Sequence, residues 1–298
     1  MRIKLLFIVA FSLLTACTSD HELGSVKNPI KLFLIPGQDP GVLEDNGNKV
    51  AKFLQEKSNL HFEVKVPPSY IAVVEAFGSN RADIAVMNTF GYILAHEKYG
   101  VEAHLMGVHF GQKSYQGQII AKKGKFKKIE ELDGKKFAYV DPASTSGFLL
   151  PTELFKKKNI KPKEFIFGGK HDTVVAMVYQ GQVDAGATFH TPVQEGKPQD
   201  ARKLVLTQFP NVFEKIEVLA LTDPIPNDPI VFRKDLPLPL KIKVKEALVD
   251  YLKSKEGQDT FMKLYNMNGV IAVTDEHYDE VRKALQRLGK TAQEFIRK

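Results

Sequence analysis

The sequence predicts an α/β protein of two similar lobes, each a mostly parallel sheet flanked by helices. Three observations support this fold class. Short apolar runs alternate with longer amphipathic runs, as in strand–helix–strand units. The alternation occurs twice, about a hundred residues apart. The length of 298 residues and the apolar fraction of 43% are sufficient for two domains with a substantial core.

The composition excludes several classes of protein and of site. Its apolar fraction rules out a disordered, collagen-like or coiled-coil chain. The single cysteine, Cys17, can form neither an intrachain disulfide nor a CxxC metal site. The histidines lack ligand spacing such as HExxH, so we expect no metal and no cofactor. Lysine-rich runs are separated in sequence and mixed with acids, so we expect no nucleic acid partner.

The N-terminus has the pattern of a secretory signal. Arg2 and Lys4 precede an apolar run over residues 5–14. This run is too short to span about 30 Å of hydrocarbon as a stable helix. We therefore expect residues 1–16 to be removed as a signal peptide. The mature protein would act outside the cytoplasm, on the periplasmic face if the cell is Gram-negative.

The signal ends in Leu14-Thr15-Ala16-Cys17, which resembles the bacterial lipobox. In that motif the chain is cut before the cysteine and a lipid is attached to it. An ordinary signal with a chance cysteine is the alternative, although the only cysteine stands where the motif requires it. The resemblance implies lipidation of Cys17 and a membrane anchor of acyl chains such as palmitate. Residues 17–28 would form a flexible tether.

The first α/β unit follows this tether. Runs rich in β-branched and aromatic residues predict its strands, and amphipathic runs predict its helices. In chain order the elements are a strand at 30–36, a helix at 45–57, a strand at 61–66, a helix at 70–77 and a strand at 83–87.

The second unit repeats this order at an offset of 100 to 101 residues. Its elements are a strand at 136–140, a helix ending at 158, a strand at 164–167, a helix at 172–180 and a strand at 184–187. The aligned pairs include Val73-Val74 with Val174-Val175, Asp83 with Asp184, and Tyr70 with His171. Chance similarity between α/β units is the alternative. A true repeat predicts two facing lobes with the ligand site in the cleft between them.

The repeat also sets the expected domain boundaries. Lobe 1 is predicted to comprise residues 29–112 and 225–298, and lobe 2 residues 113–224. The chain would cross between the lobes near 109–114 and near 221–226, which makes a hinge of two segments. The helical pattern of the C-terminal residues predicts packing on lobe 1.

A turn with three hydroxyl groups is the strongest candidate site. Ser144, Thr145 and Ser146 follow a predicted strand and open a predicted helix. Free N–H groups at a helix start, together with hydroxyl donors, can bind a compact oxyanion. Plain N-capping by these hydroxyls explains the turn equally well. Because Pro151 lacks an N–H, we expect the helix to kink or to begin near Leu150.

Three ring side chains are further candidates. His171 stands in a second strand-to-helix turn, where Asp172 is the expected N-cap, and its ring could donate to an anion oxygen. A lone histidine is more often structural, but the alignment with Tyr70 favours a role in the cleft. Tyr70 and Tyr115 lie beside turns and can each donate one hydrogen bond, although partial burial is the usual fate of a tyrosine.

Asp228 lies between two prolines in Ile225-Pro226-Asn227-Asp228-Pro229, a segment that cannot become helical. A carboxylate in an anion site is unusual. It is reasonable if the ligand carries a proton, because the carboxylate can then accept a hydrogen bond from a P–OH group. The same carboxylate would repel fully ionised competitors.

Four segments together resemble the phosphate/phosphite/phosphonate-binding proteins of ABC transporters. The resemblance covers most of residues 30–270 in the right order, and the Asp-Pro-x-Ser-Thr-Ser-Gly motif is the most specific part. The segments are 141–147, 168–172, 183–187 and 225–237. This family has the type II periplasmic binding protein fold, with two α/β lobes joined by two crossing segments that close on the ligand.

The resemblance implies a role for each candidate residue. Ser144, Thr145 and His171 would hold the phosphorus oxyanion together with Tyr115, and Ser146 completes the hydroxyl run. Tyr70 would approach from lobe 1, and Asp228 matches the cleft aspartate of the family. The partner would be an ABC permease, and we expect a monomer that is not an enzyme.

The sequence departs from the family in one place. Relatives that bind aminoalkylphosphonates carry a carboxylate for the ligand's ammonium group shortly after the segment that matches Val183-Asp184. No acid stands at the corresponding place near Thr191. The resemblance therefore implies phosphite, phosphate or a small alkylphosphonate rather than a ligand with a distal amine.

Three other functions remain open on the sequence alone. The same fold could bind a sulfur oxyanion or an organic acid, or it could report a ligand to a signalling partner. A phosphoester hydrolase could use Ser144 and His171 with Asp141 or Asp172. No GxSxG elbow surrounds Ser144, which argues against the hydrolase.

Overall fold

The computed structural model describes residues 22–296, which form two lobes, each built around its own sheet. The predicted signal peptide and Cys17 lie outside the described residues. In chain order the strands are β1 (Ile30–Leu34), β2 (Phe62–Lys65), β3 (Ile84–Val86), β4 (Glu102–Val108), β5 (Ser114–Lys122), β6 (Lys136–Tyr139), β7 (Glu164–Phe167), β8 (Ala185–His190), β9 (Ile216–Pro226), β10 (Pro229–Phe232) and β11 (Gly269–Ala272).

The two sheets confirm the α/β fold class but are mixed rather than mostly parallel. The strand order is β11-β4-β10-β3-β1-β2 in lobe 1 and β7-β6-β8-β5-β9 in lobe 2. Strand β1 is parallel to its two neighbours, and β6 is parallel to its own two. The other pairs are antiparallel. Several of these strands, such as β5 and β10, enter their sheet from the other lobe without a crossover helix, which parallel pairing requires.

Helices flank both sheets. They are α1 (Pro40–Ser58), α2 (Tyr70–Gly78), α3 (Thr89–Tyr99), α4 (Leu150–Lys157), α5 (His171–Gln180), α6 (Val212–Lys215), α7 (Leu238–Lys253), α8 (Lys255–Tyr265), α9 (Asp279–Leu288) and α10 (Ala292–Ile296). Helix α1 begins earlier than predicted because Asp39 accepts a hydrogen bond from the Val42 N–H and Pro40 occupies the first turn. Within residues 22–296, no helix combines the length and apolarity needed to cross a bilayer.

The sequence repeat has a structural cause in both lobes. Asp83 precedes β3, and its Oδ2 accepts a hydrogen bond of 2.8 Å from the Lys31 N–H in β1. Asp184 precedes β8, and its Oδ2 accepts one of 2.9 Å from the Lys136 N–H in β6. Each carboxylate therefore fixes the start of one parallel strand against its neighbour, which explains why both copies carry an aspartate at this position.

The two segments that cross between the lobes are hydrogen-bonded to each other. They connect β4 to β5 and β9 to β10. The Asn227 side chain donates to the carbonyl oxygens of Gly107 and Gln112 at 2.9 and 2.8 Å. The Gly107 N–H donates to the Asp228 carbonyl oxygen at 3.0 Å. This pairing holds His109, in the first crossing, and Asp228, in the second, at one edge of the cleft.

The C-terminal residues do not pack on lobe 1 alone. They contain β11, which joins the sheet of lobe 1, and the two short helices α9 and α10 contact both lobes. Arg287 on α9 forms an ion pair with the buried Glu153 on α4 of lobe 2. Phe295 packs between Phe90 of lobe 1 and Phe148 of lobe 2, at ring distances of 5.6 and 4.9 Å. The apolar faces of these helices therefore bridge the lobes.

Part of the segment expected to be a flexible tether is attached to lobe 1. The Gly24 carbonyl oxygen accepts a hydrogen bond of 2.8 Å from the His61 N–H, beside β2. The Gly24 N–H donates to the Asn28 carbonyl oxygen at 2.7 Å, which closes a turn. Leu23 packs on the apolar cluster of lobe 1. Residues 23–28 therefore belong to the lobe and not to a free linker.

Candidate functional site

A cavity of about 520 Å³ lies between the lobes, beside the crossing segments. Six of the seven candidate ligand-binding residues line it. They are Tyr70, Tyr115, Ser144, Ser146, His171 and Asp228. The seventh candidate, Thr145, is not part of the lining. The cavity therefore brings together residues that are far apart in the sequence and that come from both lobes.

The hydroxyl turn begins with one π-helical turn, Thr145–Leu149, which leads directly into α4. Pro151 has no N–H to donate to the Gly147 carbonyl oxygen, which accepts a hydrogen bond of 3.1 Å from the Val140 N–H instead. The α-helix proper therefore starts at Leu150, as predicted, and the π-helical turn precedes it. The wider π-helical turn accommodates the proline.

The three hydroxyls of this turn have different environments. Ser144 caps the helix, because its Oγ accepts a hydrogen bond of 3.0 Å from the Gly147 N–H. Ser146 is buried at the cavity wall, beside the Tyr115 hydroxyl. Ser144 occupies the Gly147 N–H, while the N–H groups of Thr145 and Ser146 at the start of the helix have no partner within it and lie beside these hydroxyls. The capping and anion-binding interpretations of the turn are therefore compatible.

Thr145 differs from the prediction because it joins the lobes. Its Oγ1 accepts hydrogen bonds from the Asn88 side-chain amide at 3.0 Å and from the Phe90 N–H at 2.8 Å. Asn88 also donates to the Ala143 carbonyl oxygen at 2.8 Å. Thr145 is fully buried, so the position expected to hold the ligand instead holds lobe 1 against lobe 2.

Replacing Thr145 by valine is expected to lower the free energy of unfolding by about 1–3 kcal/mol, because two buried donors lose their acceptor. Urea denaturation without ligand measures this change. Thr152→Val is the matched control, since the Thr152 hydroxyl donates to the Phe148 carbonyl oxygen one turn earlier, within lobe 2, and not to lobe 1. Equal unfolding free energies for both variants would contradict the role of Thr145.

His171 is the first residue of α5 and turns its ring into the cavity wall. Lys170, not Asp172, is the N-cap; the Asp172 carboxylate accepts a hydrogen bond from the adjacent Thr173 N–H instead. The ring packs edge-on against Phe189 at 5.0 Å, and its buried Nδ1 has no hydrogen-bond partner among the described residues. Burial lowers the pKa of His171 to about 3, so the imidazole is neutral at pH 7.

Asp228 and the two phenols line the same cavity as this ring. The Tyr115 hydroxyl donates a long hydrogen bond of 3.4 Å to Asp228 Oδ1. Burial raises the pKa of Asp228 to about 7, so this carboxyl group exchanges its proton near neutral pH. Burial also raises the pKa of Tyr70 and of Tyr115 well above the usual value, which keeps both hydroxyls protonated as donors.

Sequence reasoning missed several residues of the lining. The main ones are Asn88, His109, Phe189, Thr191, Lys203 and Tyr265. The sequence repeat relates two of them, because Asn88 lies 101 residues before Phe189, and 101 residues is the offset between the two units. Lys203 and Tyr265 had no such signal, since they come from segments outside the repeated units.

Around the hydroxyl turn, the site combines neutral hydrogen-bond donors with the Asp228 carboxyl group, which is partly protonated near pH 7. This chemistry suits a compact tetrahedral anion that carries a proton. It gives no support to a hydrolase, because no hydrogen bond connects Ser144 to His171 within the described part of the chain. Over the same residues, no cluster of three His, Cys, Asp or Glu side chains could hold a metal ion.

Comparison with known proteins identifies the family. The model of the family described as "ABC transporter, phosphonate, periplasmic substrate-binding protein" matches residues 32–278. The chain belongs to this family. The resemblance noted from the sequence is thereby confirmed, and the family consists of substrate-binding components of transporters rather than enzymes.

Two curated relatives have similar overall length. The phosphate-import protein PhnD of Mycolicibacterium smegmatis is 26% identical over 285 residues, covering 85% of this chain and 84% of the relative. The phosphonates-binding periplasmic protein of Escherichia coli K12 is 26% identical over 270 residues, covering 88% of this chain and 77% of the relative. Both alignments therefore extend over most of this chain.

A solved structure supports the fold. PhnD1 of Prochlorococcus marinus, in complex with methylphosphonate, superposes with a TM-score of 0.75 at 20% identity. The match covers 88% of this chain and 98% of that structure. The type II periplasmic binding protein fold is thus confirmed for this family member.

Proposed function

We propose that the protein captures a small phosphorus oxyanion between its closing lobes and delivers it to an ABC permease. Phosphite, phosphate and small alkylphosphonates are the proposed ligands. The cavity carries this proposal, because it combines neutral donors with an aspartate whose pKa lies near 7. Family membership and the names of the relatives point to the same ligand class.

Each wall of the cavity has a role in this proposal. Ser144, Ser146 and His171 of lobe 2 donate to the anion oxygens, and Tyr70 approaches from lobe 1 as α2 begins. Tyr115 and Asp228 bind the protonated edge of the ligand, with the carboxylate accepting from the P–OH group. Uncharged donors bind the anion without a permanent ion pair, which allows release to a permease.

Ligand binding is coupled to closure in this account. Hydrogen bonds between the lobes, such as Asn88 to Ala143 at 2.8 Å and Phe90 to Thr145 at 2.8 Å, form only when the lobes meet. A ligand shifts the lobes toward this closed form only if it binds that form more tightly. Thr145 therefore acts through closure, and the cavity residues supply the differential affinity.

The protein is further proposed to be a lipoprotein held at a membrane through Cys17. The lipobox-like sequence and the extracytoplasmic role of the family support this proposal. Cys17→Ser is expected to abolish incorporation of labelled palmitate and to release the protein from the membrane fraction. Retention of label and membrane association by the variant would contradict the anchor.

A thermal-shift panel tests the ligand class. Methylphosphonate, phosphite or phosphate is expected to raise the melting temperature by several degrees, because a ligand at a hundred times its Kd adds about 2.7 kcal/mol of stability. Sulfate and acetate at the same concentration are the controls. Stabilisation by sulfate or acetate, with no response to the three phosphorus compounds, would refute the proposed ligand.

A further inference from the structure

The cavity is much larger than the group that the hydroxyl turn would hold. A tetrahedral oxyanion of five heavy atoms occupies roughly the space of three water molecules, at about 30 Å³ each. The cavity measures about 520 Å³ although the lobes are in contact. Its remaining wall is largely apolar and includes Ile35, Phe189, Leu204, Met262 and Leu264. The site therefore has room for a substituent with a carbon chain.

His109 is an unpaired polar group in this cavity. It lies in the first crossing segment, is 8% exposed and lines the wall. Its ring stacks against Tyr115 at 6.3 Å, and neither ring nitrogen has a hydrogen-bond partner among the described residues. Burial, assisted by the nearby Lys203, lowers the pKa of His109 to about 4. The neutral ring thus keeps one N–H donor for a bound group.

Lys203 supplies a cation to the same cavity. Its ammonium group donates to Gln199 Oε1 at 3.0 Å and to Asn266 Oδ1, both neutral amide oxygens. An ammonium has three donors, so one remains. The nearby carboxylate of Asp200 is bound by Arg202 through two nitrogens. Lys203 therefore has no carboxylate partner within the described residues.

The other charged groups of the lining do not neutralise the Lys203 ammonium group. Asp259 is held by Lys255 at 2.6 and 2.7 Å, and Asp228 accepts from Tyr115. Lys263 is exposed and adds positive charge. Thr191 is buried and uncharged at the wall. The cavity thus favours a second negative group over an amine.

We infer that the cavity takes a phosphonate whose substituent ends in a carboxylate, with its chain along the apolar wall and its carboxylate at Lys203 and His109. This inference rests on the proposed function, which places the phosphonate head at the hydroxyl turn. The carboxylate accepts the third ammonium proton of Lys203 and the N–H of His109. A charge-assisted hydrogen bond of this kind is stronger than one between neutral groups.

Calorimetry with matched ligands tests this inference. 3-Phosphonopropionate is expected to bind about tenfold or more tightly than propylphosphonate, which has the same carbon chain with a methyl group in place of the carboxylate. 2-Aminoethylphosphonate is expected to bind more weakly than either. Lys203→Met should bring the affinity ratio of the first two ligands toward one, and His109→Phe, which keeps the ring stack, should lower the same ratio.

The ratio separates recognition from closure. Lys203 also bridges the lobes through Asn266, so its loss can weaken the binding of every ligand. An equal weakening for 3-phosphonopropionate and propylphosphonate leaves their affinity ratio unchanged. An unchanged ratio in both variants, or a preference for 2-aminoethylphosphonate, would overturn the inference. Lys263→Met is the control, and a collapse of the ratio there alone would equally refute the assignment to Lys203. Failure of methylphosphonate to bind would instead refute the proposed function.

Discussion

Alanine in place of His171 is expected to weaken methylphosphonate binding by about 1–3 kcal/mol. The ring is buried at the cavity wall, is fixed by Phe189 and has a buried Nδ1 without a partner. Its low pKa keeps it neutral, so it contributes a directed hydrogen bond rather than a charge. Titration calorimetry at pH 7 measures the loss.

Two further variants make this result specific. His190→Ala is the matched control, because His190 belongs to the same lobe, is half-buried and bonds Gln118 Oε1 at 3.1 Å without lining the cavity. It is expected to leave the affinity unchanged. His171→Gln retains a donor and should recover part of the loss. An affinity of His171→Ala equal to that of the parent protein would contradict the role of the ring.

Asp228→Asn is expected to remove the preference for protonated oxyanions. The parent carboxyl group has its pKa raised to about 7, so below pH 7 one proton is shared between Asp228 and the ligand. As the pH rises through 7 this proton is lost, and two negative groups oppose each other. Affinity for methylphosphonate should then fall by up to about tenfold per pH unit. The asparagine variant should lack this part of the decline and bind more tightly than the parent at pH 8.5.

Sulfate provides an independent readout of the same change. A fully ionised sulfate has no proton for the Asp228 carboxylate, so the parent protein should reject it. The Asp228→Asn variant should bind sulfate at least about tenfold better than the parent, because a like-charge contact is replaced by an amide donor. Parallel pH profiles, together with unchanged sulfate affinity, would remove Asp228 from the discrimination.

The raised pKa of Asp228 also affects the stability of the protein without ligand. A carboxyl group whose folded pKa exceeds its unfolded value stabilises the fold fully below the unfolded pKa, and this stabilisation is lost as the pH rises through the folded value. The free energy of unfolding should therefore decrease between about pH 6 and pH 8. Asp228→Asn should abolish this contribution, which urea denaturation at both pH values can measure.

The repeated pattern made much of the fold predictable. Asp83 and Asp184 recur because each accepts a hydrogen bond from a backbone N–H of the neighbouring strand. Tyr70 and His171 recur as the first residues of equivalent helices, and both line the cavity. Local patterns of this kind can be recognised in the sequence because the same physical constraint acts in both copies.

Other features depend on tertiary contacts that no local pattern contains. Thr145 looked like its neighbours Ser144 and Ser146, but helix geometry directs its hydroxyl oxygen toward Asn88 and Phe90 of lobe 1. His109 and Lys203 are separated in the sequence by most of lobe 2. Only the path of the chain between the two lobes brings them to one cavity. The mixed sheets likewise follow from crossings between the lobes and not from strand composition.

The central claim is that the hydroxyl turn, His171, the two phenols and Asp228 form the binding site for a phosphorus oxyanion. A crystal structure of the protein grown with saturating methylphosphonate tests it most directly. We expect the phosphonate oxygens within about 3 Å of the Ser146 and Tyr115 hydroxyls and of the His171 ring, with one oxygen at Asp228. Methylphosphonate bound outside this cavity, or turned with its methyl group toward the hydroxyl turn, would contradict the account.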